Sequence, residues 1–153
     1  MKKLVLTVGN GMMGDDGAGP LLAQMMKEMP LDGWEVLNGG SAPENILHQV
    51  RDLEPDWVLV VDATDMDCPP GSTQLIPEDQ LDDPFLFSTH TLPLTFLVEA
   101  LKGFVPRVEI LGIQPELVAF GAPMSISVRT AVTRVYEQLK KGNDIWESLS
   151  VEN

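Results

Sequence analysis

The sequence predicts an α/β fold, a mostly parallel sheet with helices on both faces, and three observations lead there. Short apolar, β-branched runs recur, as at Leu4–Val8 and Trp57–Val61, which is how strands buried on both faces read. Between them apolar residues fall at helical spacing, as at Leu22, Met25, Met26 and Met29. Strand and helix then alternate to the end of the chain, a pattern that closes into a layered parallel sheet.

Taken in order, Leu4–Val8 is the first strand, followed by a glycine-rich turn and a first helix. Asp16 is placed to cap that helix, Pro20 is tolerated in its first turn, and Pro30 ends it. Trp34–Leu37 is a second strand, closed by Gly39 and Gly40. Ser41-Ala42-Pro43-Glu44 resembles a capping box and predicts a helix from about Pro43 to Leu53. Trp57–Val61 is the third strand, bounded by Asp56 and Asp62, and Thr73–Ile76 the fourth. Leu94, Leu97, Val98 and Leu101 mark a third helix that stops at Gly103. Val108–Ile113 is a fifth strand, and Val128 to Leu139 a last helix with Gly142 beyond it. One connection departs from the rule. Only ten residues separate Asp62 from Thr73, Pro69, Pro70 and Gly71 among them. A parallel neighbour needs about a dozen or more, so the fourth strand is expected to be antiparallel or set at an edge.

At 153 residues with 44% apolar composition, the chain suits one domain over residues 1–153 with a sizeable core, its last few residues a flexible tail. A single cysteine, Cys68, excludes an intrachain disulfide and a multi-cysteine zinc site, and fits a reducing cytoplasm. The Met1-Lys2-Lys3 start has too short an apolar stretch behind it for a signal peptide. No apolar run is long enough for a membrane helix. A net charge of −13 disfavours nucleic acid and anionic membranes as partners.

Gly9-Asn10-Gly11-Met12-Met13-Gly14 spells the dinucleotide fingerprint between a strand and a helix. Asp15 and Asp16 nevertheless stand at the helix start, where a pyrophosphate needs positive potential and free N–H groups. No ribose-binding acid ends the second strand, which runs into Asn38-Gly39-Gly40. The expectation is no NAD or FAD; the glycines instead allow a sharp turn and a close approach.

What the turn presents is acid. If the first and third strands are neighbours, their following loops diverge and open a crevice, with Asp16 on one side and Asp62 on the other. Two carboxylates there could bind a metal or share a proton, or could be no more than caps and turn residues. Of the two histidines, His48 lies on the polar side of a helix and reads as solvated. His90, in Ser88-Thr89-His90-Thr91-Leu92-Pro93, enters a helix from a loop, where a neutral imidazole can serve as ligand or base.

Val8-Gly9-Asn10, Gly14-Asp15-Asp16-Gly17-Ala18-Gly19, Asp62-Ala63-Thr64-Asp65 and His90 before Pro93-Leu94 together resemble the hydrogenase maturation endopeptidases. Gly39-Gly40-Ser41-Ala42-Pro43-Glu44-Asn45 and Gly112-Ile113-Gln114-Pro115 extend the resemblance over about residues 4–140, toward the branch that processes hydrogenase 3. It implies a three-layer α/β/α fold, phosphorylase/hydrolase-like, with a five-stranded sheet whose fourth strand is antiparallel. It implies, too, that Asp16, Asp62 and His90 are the catalytic, metal-facing residues. Many relatives carry Glu at the first position, and Asp16 is one methylene shorter. The implied substrate is a hydrogenase large-subunit precursor that holds nickel through cysteines near its C-terminus. Nickel would then arrive with the substrate, although an isolated sample could take a surrogate divalent ion. Two carboxylates and an imidazole suit a borderline ion and leave coordination positions open to polarise a carbonyl or activate water.

Three rival readings remain. Gly40-Ser41-Ala42 lacks the nucleophile elbow of a serine hydrolase. Cys68 with His90 would make a cysteine protease, but no cation flanks Cys68 to hold a thiolate. A non-catalytic nickel chaperone for hydrogenase assembly would keep the metal site and cleave nothing.

Overall fold

The computed structural model describes residues 1–77, 87–88 and 94–142. Its elements run β1 (Lys3–Thr7), α1 (Ala18–Glu28), β2 (Trp34–Asn38), α2 (Leu47–Leu53), β3 (Trp57–Asp65), β4 (Thr73–Ile76), β5 (Phe87–Ser88), α3 (Leu94–Lys102), β6 (Arg107–Ile113) and α4 (Ile126–Lys141). Turns of 3-10 helix over Gly14–Gly17 and Pro43–Ile46 lead into α1 and α2.

Five strands form one path in the order β2-β1-β3-β6-β4. β1, β2, β3 and β6 are mutually parallel, whereas β4 joins the β6 edge antiparallel, from Thr73 opposite Ile113 to Ile76 opposite Ile110. The short connection after β3 therefore resolves both ways at once: β4 is antiparallel and lies at an edge. The two-residue β5 lies off this path and pairs antiparallel with the end of β3.

Strand residues alternate between two cores. Val5, Leu59, Val61, Leu111 and Ile113 pack with Leu22 and Met26 of α1 and with Val128, Val132, Val135 and Leu139 of α4. Leu4, Leu6, Val58, Val60 and Ile110 pack on the other face with Val50 of α2 and Leu97, Val98 and Leu101 of α3. Each such fully buried aliphatic side chain contributes about 1.5–3 kcal/mol of transfer free energy. Because the central strands are covered on both faces, they can be apolar at every position.

Several expectations are corrected. β3 does not stop before Asp62 but continues through Asp65, since β6 keeps pairing alongside it at Asp62–Gly112 and Ala63–Ile113. A polar Asp62-Ala63-Thr64-Asp65 reads locally as a turn, yet β6 pairs beside Asp62 and Ala63 and β5 beside Thr64 and Asp65, a ladder that takes up backbone groups whatever the side chains. α1 starts only at Ala18, with Gly17 as its unbonded cap, so Asp16 caps no helix. The second helical segment opens as a 3-10 turn preceded by Ala42 and closed by no side-chain bond, which removes the capping box at Ser41. Met29 falls at the C-terminal cap of α1 and is exposed rather than part of its buried stripe. The expected C-terminal tail lies outside the described residues.

Candidate functional site

The switch in strand order falls between β1 and β3, whose following chains depart in opposite directions. In open α/β sheets that is where ligand crevices form. Beyond β1 the Val8 N–H still donates to the Val61 carbonyl at 2.9 Å, and the Gly9 N–H donates to Gly40 at 2.9 Å. Gly9 adopts φ +139°, and a Cβ there would stand 2.1 Å from the Asp16 carbonyl oxygen. Only glycine lets the following turn fold back this closely. Gly19 likewise lies against the Val8 and Val61 backbone, drawing the start of α1 onto the same strand ends.

This packing places Asp16 over the C-terminal end of β1. Its side chain is buried, and its Oδ2 accepts the Asn10 N–H at 2.8 Å. Asp62 follows Val61 directly and is fully buried. It continues the Val58–Val60 row, the row facing α2 and α3. The 3-10 turn carrying Asp16 packs against β3, so the two carboxylates flank one pair of strand ends. Such oxygen donors suit a divalent cation. His90 lies outside the described residues. The described chain ahead of it ends at Ser88, which pairs with Thr64, two residues past Asp62. Among the described residues no third histidine, cysteine or acid completes a metal-sized cluster. His48 is exposed on α2, and the Cys68 Sγ–H donates to the Met66 carbonyl at 3.3 Å.

Several N–H groups of the glycine-rich turn are occupied by the chain's own acceptors. Met12 N–H donates to Asn10 Oδ1, Met13 N–H to the Asn10 carbonyl and Asp15 N–H to the Leu117 carbonyl. Two buried acids then close the turn.

Two further residues organise the site, and neither was singled out as such in the sequence. Asp15 is fully buried, and four hydrogen bonds converge on it. Oδ2 accepts from Glu116 N–H at 2.9 Å, Leu117 N–H at 3.0 Å and Ser125 Oγ–H at 2.9 Å, and Oδ1 accepts from Ser125 N–H at 2.7 Å. Burial pushes the Asp15 carboxyl up, but the amides of Leu117, Ser125 and Glu116 and the Ser125 hydroxyl together outweigh it and hold the group below its ordinary value. Gln114, buried at the end of β6, accepts Met66 N–H at 2.6 Å and Cys68 N–H at 3.3 Å on Oε1 and donates to Asp65 Oδ1 at 3.1 Å. It thereby fixes the chain leaving β3 just past Asp62. The only sequence signals were the Asp15-Asp16 doublet and the Gly112-Ile113-Gln114-Pro115 run, because the partners are remote along the chain.

The chain is similar to known proteins over most of its length. Residues 20–141 match the family model HycI, hydrogenase maturation protease. The chain is 45% identical to the hydrogenase 3 maturation protease of Escherichia coli, over 99% of each sequence. The solution structure of the endopeptidase HycI from Escherichia coli superposes with a TM-score of 0.86 at 46% identity, covering 94% of this chain and 93% of that one. The crystal structure of a nickel–iron hydrogenase maturation protease HycI from Thermococcus kodakarensis gives 0.80 at 26% identity, covering 95% and 92%. The chain belongs to the hydrogenase maturation protease family and is an endopeptidase.

Proposed function

We propose that this endopeptidase removes the C-terminal extension of a nickel-loaded large-subunit precursor of a nickel–iron hydrogenase, of the hydrogenase 3 type, and meets the substrate's nickel through Asp16, Asp62 and His90. The observation that carries the reading is the pair of buried carboxylates, Asp16 and Asp62, flanking the ends of two adjacent strands. Asp16 on the turn after β1 and Asp62 within β3 offer carboxylate oxygens suited to a divalent cation. On this reading the substrate carries that ion in. Such an ion polarises a scissile carbonyl or activates water. Asp16 is held by the Asn10 N–H and the Asp62 backbone is held in the β3 ladder, which supports a preorganised pair of acids. Around the turn, Met12, Leu117 and Phe120 expose apolar side chains on two loops joined by the Gly121 N–H to Met12 carbonyl bond. A polypeptide substrate requires contact surface of that kind.

The test is Asp62→Asn with nickel-loaded precursor, read by mass spectrometry. Wild type should show the mass loss and the variant none, while its circular dichroism stays native, because the change removes charge without opening a cavity. His90→Ala should behave in the same way. A folded Asp62→Asn protein that still cleaves would sink the reading, and wild type that binds nickel yet cleaves nothing would favour a chaperone.

A further inference from the structure

Asp15 and Asp16 are consecutive, both buried, and aimed at different partners. Asp16 turns back to Asn10, whereas Asp15 receives all four of its hydrogen bonds from residues 116–125. That segment grips the turn elsewhere too. Asp15 N–H donates to the Leu117 carbonyl, Gly14 lies so close to Leu117 and Ala119 that a Cβ would stand 2.8 Å from the Leu117 oxygen, and Gly17 lies against Met124. In a 3-10 turn successive side chains are separated by about 120°. Fixing one therefore fixes the direction of the next.

We infer that Asp15 is a positioning residue: by anchoring the Gly14–Gly17 turn to the loop after β6, it sets the direction in which Asp16 presents its carboxylate. The inference rests on the proposed role of Asp16, since without that role its aim would have no consequence for cleavage. A cap or fold-stabilising contact could sit anywhere on the turn. The four-donor cradle instead acts on the residue adjacent to the candidate ligand, and its donors come from an element on the far side of the turn. A misplacement of about 1 Å at a reacting centre can cost on the order of 100-fold in rate.

The Asn10 amide reports on Asp16 directly, because its N–H donates to Asp16 Oδ2 at 2.8 Å. In Asp15→Asn, one cradle position becomes an NH2 facing donors. The Asn10 amide proton should move upfield in the nuclear magnetic resonance spectrum while core amides of Leu59 and Val60 stay in place. Cleavage of nickel-loaded precursor should fall roughly 10- to 100-fold in kcat/KM, measured well below the variant's melting temperature. If that variant does not fold, Ser125→Ala removes a single donor and should give the same two changes at smaller size. An unmoved Asn10 resonance with unchanged kcat/KM, in either folded variant, would overturn the inference. Asp16→Asn separates the two claims: if it cleaves normally, the reading of the site fails, whereas if it is inactive and the Asp15 variant is not, only the positioning role fails.

Discussion

The two ends of the one sheet are built from opposite chemistry. At the N-terminal ends of β2 and β3, Trp34 and Trp57 meet with ring centroids 5.0 Å apart, under the Lys3 ammonium at 4.9 Å and the Arg107 guanidinium at 3.8 Å. Aromatic faces and cations there close the cores and leave only stems and charges to solvent. At the C-terminal ends the buried side chains include three acids, Asp15, Asp16 and Asp62. The tryptophan end gains stability from apolar burial, while the acid end holds charged groups out of water by hydrogen-bonding them, as the four donors to Asp15 do. The comparison teaches that damage at the two ends should separate, with stability lost at one and cleavage at the other.

The largest stability effect should come from Trp57→Ala. Trp57 is buried between the sheet and the helix layer of α1 and α4, and truncating an aromatic core residue costs about 3–5 kcal/mol. Thermal melts should show the loss, and the fraction still folded should cleave like wild type. An equal loss of specific activity would erase the division between the ends.

A smaller effect belongs to pH. The folded Asp15 carboxyl titrates below its ordinary value. Its stabilisation is therefore fully present above the unfolded pKa of about 4 and is lost as pH falls through the lower, folded value. Denaturant titrations should show wild type losing stability on the acid side of about pH 4, and Asp15→Asn losing less there. Identical acid limbs would remove Asp15 from the account. The smallest effect should be that of His48→Ala, an exposed position on α2 at neither end. Stability should stay within about 0.5 kcal/mol and cleavage should not change.

Much of the fold was legible because the central strands are covered on both faces, so Val58 to Val61 could be read as apolar without alternation. That β4 would be antiparallel or at an edge followed from chain length, since ten residues are short for a parallel crossover, and the family resemblance pointed to antiparallel. The site was legible only in part. Asp62 looked like a strand terminus because polarity begins there, whereas Gly112 and Ile113 of β6 carry the ladder past it. Asp16 looked like a helix cap because acids before helices often are, and the tight Gly9 turn sends its carboxylate to Asn10 instead. The work of Asp15 could not be seen at all, for its partners Glu116, Leu117 and Ser125 lie about a hundred residues on and bond mostly through their backbones, which carry no sequence signature. His90 lies outside the described residues, and its role rests on the family resemblance.

The proposed function has the buried acids at the C-terminal end meet nickel carried by the substrate. It is tested most directly by incubating the protein with two preparations of the same large-subunit precursor, one loaded with nickel and one free of it, and following the mass of each. The loaded precursor should lose its C-terminal extension and the nickel-free one should stay intact. Equal cleavage of both would show that peptide sequence alone directs the cut, and would contradict that function.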